Sequence, residues 1–249
     1  MTKPVMPLKW YKNLTTREGR IQEGLFVVEG MRSIQQIVGK RPDSIKELVA
    51  IEGVELIKDY PVRIVTEKQF AQISSIKTPQ GIMAVVSIPR HVYENDLPGA
   101  PGQKVLVLED IQDPGNLGTL IRTAAAFNFA GIVMSDKTAD PFSPKCVQSA
   151  AGSVLALWIR RTSSYLDLAA RLKTGGYRIV AASLEGESNQ EFFNTEKLVV
   201  ALGNEAAGLS KQITSLADYR FSIPIDRKQA ESLNVAVSGG IIMYLATRA

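Results

Sequence analysis

Three short segments hold the residues whose types and spacing point to chemistry. The first runs from Leu108 to Ala124, where Gly115 and Gly118 flank Asn116 and Leu117, and Arg122 follows Asn116 by six residues, in the second turn of a helix. The second runs from Leu202 to Ser210 and sets Asn204 and Glu205 between Gly203 and Gly208. The third runs from Ile223 to Val237 and carries Pro224, Asp226, Glu231, Ser232 and Asn234. Each begins where an apolar run ends. Ligands of parallel α/β sheets bind beyond the carboxyl ends of the strands, so these three turns are the candidates for a binding site.

Taken singly, each segment has a plainer reading. Asn116 reads as a turn or helix cap and Arg122 as a solvated charge. Gly203 and Gly208 suit either a sharp turn or a backbone that approaches a ligand, with Ser210 capping the next helix. Ser232 is placed to cap a closing helix, and Asn234 to bond locally in its first turn. The strand, Gly-containing loop and helix around Gly115 do not form a dinucleotide fingerprint, since G-x-x-G stands where G-x-G-x-x-G is needed.

One His and one Cys narrow the reaction classes. A zinc site needs several such ligands, and a Ser-His or Cys-His nucleophile needs a placed His. The expectation is a reaction without metal, with Cys146 a small buried apolar residue. With 45% apolar and 22% charged residues in 249, the chain is a globular mixture large enough for two modest cores. A net charge of +4 permits a polyanionic partner without requiring one. No apolar run reaches the roughly 18–20 residues of a membrane span, and Met1 to Arg20 carry charges and prolines in place of a signal sequence, so a cytoplasmic location is expected.

The elements that must position these turns fall in two groups. Pro89, Pro98, Gly99, Pro101 and Gly102 break the pattern between Pro89 and Gln103, which places a domain at 1–95, a linker at 96–103 and a second domain at 104–249. Before the break, strand-like runs at Leu25–Val28, Leu48–Ile51, Val62–Val65 and Ile82–Ile88 alternate with helical segments at Met31–Val38 and Glu67–Ile76. After it, runs at Val105–Leu108, Gly131–Met134, Arg178–Ala182, Leu198–Leu202 and Phe221–Ile225 are separated by helix-length segments, which predicts a mostly parallel sheet covered on both faces. Leu233, Val237, Ile241 and Leu245 predict a closing helix with one apolar face. Gly239 and Gly240 within it each cost about 1 kcal/mol relative to Ala, so a close packing contact is expected there.

Together, the N-x5-R-T-A pattern at Asn116 to Ala124, the G-N-E-x-x-G-L pattern at Gly203 to Leu209, and the I-P…E-S-L-N-V pattern ending at Val235 resemble the three signature motifs of the SpoU/TrmH family of the SPOUT class. The resemblance spans about Val105 to Leu245. The segments Arg17 to Arg20 and Phe26 to Gly30 are similar, more loosely, to that family's substrate-binding domain, which itself resembles a small ribosomal protein.

The resemblance implies an α/β fold: a small ribosomal-protein-like domain, then a parallel-sheet SPOUT domain with a deep trefoil knot. It implies a homodimer packed partly through the closing helix, and S-adenosylmethionine-dependent methylation of a ribose 2'-hydroxyl in structured RNA. The expected RNA is 23S ribosomal RNA, with transfer RNA and a catalytically inactive RNA-binding protein as alternatives. Arg122 would contact the reacting ribose and phosphate, Asn116 and Asn234 would orient them or Arg122, and Glu205 would help hold the site. The cofactor would lie against Ser183, Leu184, Gly203, Ile223 and Leu233.

Residues 1–41 hold eight Lys or Arg against three Glu, with Trp10 and Tyr11 among them. Lys9, Lys12, Arg17 and Arg20 are therefore candidates for phosphate contacts, and the two aromatics for stacking or for a core. The sequence departs from the family's usual pattern at Cys146 and at Asp226, Arg227 and Lys228. A nucleotide-cofactor oxidoreductase, suggested by the α/β alternation alone, lacks its fingerprint.

Overall fold

A computed structural model describes residues 6–248. The chain separates into two compact units, residues 1–89 with 140–156, and residues 90–139 with 157–249.

The first unit opens with two short helices, α1 (Leu8–Asn13) and α2 (Arg17–Glu23). Periodicity does not reveal helices of six and seven residues, too short to repeat an apolar face. Local signals define α2 instead: Thr16 accepts from the Gly19 amide, and Gly24 ends the helix at φ 64°. Next come β1 (Leu25–Glu29), α3 (Met31–Lys40), β2 (Ile45–Ile51), β3 (Val62–Val65), α4 (Glu67–Ile73) and β4 (Ile82–Ser87). A capping box between Thr66 and Gln69 starts α4. The strands form a mixed sheet in the order β1-β4-β2-β3, with only β2 and β3 parallel. Its core gathers Tyr11 and Leu14 with Val27, Val49, Phe70, Ile73 and Met83.

The second unit carries β5 (Lys104–Leu108), α5 (Pro114–Ala126) and β6 (Gly131–Ser135). After α6 (Pro144–Ala150), whose residues belong to the first unit, it resumes with β7 (Trp158–Thr162), α7 (Tyr165–Thr174), β8 (Arg178–Glu187), β9 (Leu198–Leu202), α8 (Lys211–Leu216), β10 (Tyr219–Phe221) and α9 (Val235–Arg248). All neighbours are parallel in the order β10-β8-β9-β5-β6-β7. Strand β7 escapes a reading of apolar runs because Arg160 and Arg161 interrupt it. Arg160 is nonetheless buried, its guanidinium satisfied by the Asp96 carbonyl at 2.5 Å and the Ile159 carbonyl at 3.1 Å.

Side chains alternate across the sheet. Val105, Val107, Val199 and Ala201 pack with Leu168, Leu172 and Ile213 of α7 and α8. On the opposite face Leu202 meets Leu120 of α5 and Gly239 of α9. A Cβ at Gly239 would stand 2.4 Å from Leu120 Cδ2 and 2.8 Å from Leu202 Cδ1, which is the close contact expected there. Gly240 has no such neighbour, its nearest being Thr123 Cγ2 at 3.9 Å.

The apolar face of α9 differs from expectation. The buried positions are Ala236, Gly239, Ile242, Met243 and Ala246. Val237 is 51% exposed, and Ile241 and Leu245 are half-buried. Ala236, Gly239 and Ala246 let α9 approach the sheet closely beside Ile242 and Met243, while Val237 and Tyr244 lie on a second, outward face.

Candidate active site

The loop after β5 turns at Asp110, whose φ of 56° is in the left-handed region that Asp tolerates better than most residues. Its amide donates to Ser135 Oγ at 3.0 Å, and that hydroxyl donates back to Asp110 Oδ1 at 2.6 Å. Asp113, not Asn116, caps α5: its carboxylate accepts from the Asn116 amide at 2.9 Å, with Pro114 as the first helical residue. Asn116 thus sits one turn-position deeper than a cap, and its side chain is available for other contacts.

Those contacts join all three segments. Asn116 Nδ2 donates to Glu205 Oε1 at 3.0 Å, and Asn234 Nδ2 donates to Asn116 Oδ1 at 3.0 Å. Asn234 also caps α9, accepting from the Ala236 and Val237 amides at 2.9 and 3.3 Å. Ser232, the expected cap, lies two residues too early. The plain reading of Asn234 is met, since its side-chain oxygen caps the helix, and its side-chain nitrogen faces Asn116.

The loop after β9 closes on itself. Asn204 and Gly208 exchange backbone hydrogen bonds at 3.1 and 2.9 Å, Gly208 has φ 70°, and a Cβ on Gly203 would fall 2.3 Å from the Gly208 carbonyl carbon. Only glycine fits at Gly203. Asn204 Oδ1 accepts from the Ala206 and Ala207 amides, and Ser210 caps α8 as read from its position.

At the carboxyl ends of β8, β9 and β10 lies a cavity of about 610 Å³. Ser183, Leu184, Gly203, Ile223 and Leu233 all line it, as do Glu205 and the amides of the 203–209 loop. Glu185, Glu205 and Glu231 are the charged residues among its described lining residues, so its charge favours a cationic group. Glu231 belongs to the third segment of the sequence, whereas Glu185, within β8, carries no signal of its own.

Arg122 is not brought to this cavity within the chain. It is exposed on α5, with no hydrogen bond or ion pair among the described residues. Lys9 and Arg17 are exposed on α1 and α2. Lys12 is exposed but donates to the Ser74 carbonyl at 3.0 Å. Arg20 does not present its charge to solvent. It is 4% exposed, paired with Asp140 at 2.6 Å and bonded to the Thr15 carbonyl at 2.8 Å, because α2 lays its side chain into the unit's interior. Tyr11 is likewise core, its hydroxyl donating to Glu47 at 2.8 Å, and only half-buried Trp10 keeps a partly accessible ring. Residues 1–5 of the basic N-terminal stretch lie outside the described residues.

Fold and cavity define an α/β protein built to hold a ligand at the carboxyl ends of a parallel sheet. Residues 103–244 match the SpoU rRNA Methylase family, and residues 7–84 match the MRM3-like substrate binding domain. The 23S rRNA (guanosine(2553)-2'-O)-methyltransferase RlmP of Bacillus subtilis is 34% identical over 95% of this chain and 94% of its own. A 23S rRNA (uridine(2479)-2'-O)-methyltransferase of Streptomyces viridochromogenes is 29% identical over 96% of this chain and 88% of its own. The crystal structure of an AdoMet-bound rRNA methyltransferase from Sinorhizobium meliloti, 30% identical, has a TM-score of 0.82 and covers 100% of this chain and 97% of that one. The chain belongs to the SpoU rRNA methylase family, a family of S-adenosylmethionine-dependent RNA 2'-O-methyltransferases.

Proposed function

We propose that this protein transfers a methyl group from S-adenosylmethionine to a ribose 2'-hydroxyl of 23S ribosomal RNA. The observation that carries the reading is the chain Asn234 to Asn116 to Glu205, which ties three separate segments together beside one cavity. The residues present fit the cofactor. The cavity is of ligand size, its lining includes Leu184, Ile223, Leu233 and Val235 for apolar contact, and its carboxylates suit a sulfonium or ammonium. Bound S-adenosylmethionine supplies a methyl group already activated for attack by oxygen.

The protein's own contribution is then position and charge. Asn116 and Asn234 orient the ribose or its phosphate, and Glu205 fixes Asn116. Arg122, a permanent cation, stabilises the 2'-oxygen as its proton leaves to water and its bond to the methyl carbon forms while the bond from that carbon to sulfur breaks. Because Arg122 stands outside its own chain's cavity, it serves in a homodimer that pairs the outward apolar face of α9, including Val237 and Tyr244, with a second copy. A deep trefoil knot at the cavity accords with the pairing of β10, whose Arg220 lies beside Ala181 while Phe221 lies beside Glu187. Lys9, Lys12 and Arg17 contact RNA phosphates from the first unit. The RNA class follows the two relatives named for 23S rRNA, which differ in the nucleoside whose ribose they methylate.

Calorimetric titration with S-adenosylmethionine and with NAD, followed by mapping of 2'-O-methyl marks on total RNA from a deletion strain, tests the reading. Saturable binding of the first compound alone and loss of one mark in 23S rRNA are expected. Failure to bind it, or an unchanged methylation map, overturns the reading.

A further inference from the structure

One buried carboxylate has no part in the mechanism above. Glu109, at the end of β5, is 4% exposed and does not line the cavity. Its Oε2 accepts the Ser210 amide at 2.6 Å, and its Oε1 accepts the Tyr165 hydroxyl. Its own amide donates to the Leu202 carbonyl at 2.9 Å. The next residue completes the arrangement, since the Asp110 carbonyl accepts Asn204 Nδ2 at 2.9 Å. Consecutive residues of β5's terminal turn therefore grip the 203–210 loop at both ends, Asp110 at Asn204 and Glu109 at Ser210. Between those grips lie the backbone groups that line the cavity.

We propose that Glu109 is a positioning residue for cofactor binding: it fixes the 203–210 loop through the Ser210 amide, and Tyr165 holds the carboxylate in place. This rests on the methyltransferase reading of the cavity. The chemistry demands an acceptor there. An unmet buried amide is costly, and a buried carboxylate persists only with donors on its oxygens. Tyr165 supplies one reliably, because burial, and then its bond to Glu109, push its phenol above the usual range and keep it protonated. Glutamine at position 109 keeps the shape but offers one oxygen to two donors.

The test compares the unaltered chain with Glu109→Gln, Tyr165→Phe and the double variant, by calorimetric titration with S-adenosylmethionine and by amide hydrogen exchange. Glu109→Gln is expected to weaken binding about tenfold and Tyr165→Phe about threefold, with the double variant no worse than Glu109→Gln because both act through one contact. The KM for S-adenosylmethionine should rise by a similar factor and by more than kcat falls, kcat reporting only the smaller loosening of Glu205 in the same loop. Exchange should quicken in peptides covering 203–210 and stay constant in β5 and β9. Unaltered affinity in Glu109→Gln overturns the clamp, and so does exchange that rises uniformly, which marks a merely structural role. If the unaltered chain itself does not bind S-adenosylmethionine, the reading of the cavity fails instead.

Discussion

Asn116 donates its side-chain amide to Glu205 Oε1 at 3.0 Å, tying the first turn of α5 to the loop that follows β9. The bond has a fixed direction. Asn116 spends its oxygen on Asn234, so only its nitrogen remains for Glu205, and the carboxylate must accept.

That direction makes Asn116→Asp more harmful than its size suggests. Two carboxylates would face each other where a donor and an acceptor stood, and kcat should fall at least about tenfold at pH 8. Single-turnover rates of the variant and the unaltered chain measure the loss; an unchanged rate removes the Asn116–Glu205 bond from the mechanism.

Arg122→Ala should lower the methyl-transfer rate at least about a hundredfold, the loss typical of removing a group that stabilises an anionic oxygen, while S-adenosylmethionine affinity stays nearly constant. Single-turnover methylation and calorimetry on the same preparation separate the two quantities. Full activity in the variant ends the proposed role.

The basic residues of α1 and α2 divide by burial. Arg20→Ala leaves Asp140 without its partner and should destabilise the first unit by about 3 kcal/mol, seen in thermal or urea unfolding. Lys9→Ala and Arg17→Ala should leave stability unchanged and weaken RNA binding, each lowering the slope of log affinity against log salt by about 1. Deleting residues 1–20 would be a poor substitute, since Tyr11 and Leu14 are fully buried core.

The two glycines of α9 should respond in opposite senses. Gly239→Ala drives a methyl into fully buried Leu120 and Leu202 and should cost about 1–2 kcal/mol despite the better helix former. Gly240→Ala meets open space within the chain and should be neutral or stabilising by up to about 1 kcal/mol. Chemical denaturation at low protein concentration compares them.

Val237→Glu puts a charge on the outward face of α9, the face of the proposed homodimer, and should sediment as a monomer where the unaltered chain sediments as a dimer, with methyl transfer lost and the fold retained by circular dichroism. A variant that remains dimeric places the interface elsewhere.

Much of this was legible before any coordinates. The alternation of apolar runs predicts three strands of the parallel sheet, β5, β6 and β9, nearly residue for residue, because a strand buried on both faces can be written only in apolar residues; it ends β8 five residues early and sets β10 at Phe221–Ile225 where the strand spans Tyr219–Phe221. The segments holding Asn116, Glu205 and Asn234 follow from where strands end and from the family's pattern, and the five lining residues from Ser183 to Leu233 from the family's pattern alone. Two features exceeded that reach. Strand β7 hides behind Arg160, whose charge is masked by carbonyls that no spacing shows, and α1 and α2 are too short to leave a period.

What tertiary structure alone decided is partnership. Local sequence states that Arg20, Arg122 and Glu109 are charged, yet one is buried against Asp140, one stands exposed on α5, and one grips a loop about a hundred residues away. The helix α9 is apolar nearly all round, so composition could not say which face the sheet would take. Packing chose the side where Ala236, Gly239 and Ala246 alternate with Ile242 and Met243, because dispersion and burial reward a close approach of backbone to sheet, and Val237 and Tyr244 were left outward. Secondary structure is written in nearest neighbours along the chain. The environment of a charge or a helix face depends on residues distant in sequence, and only the folded chain brings them together.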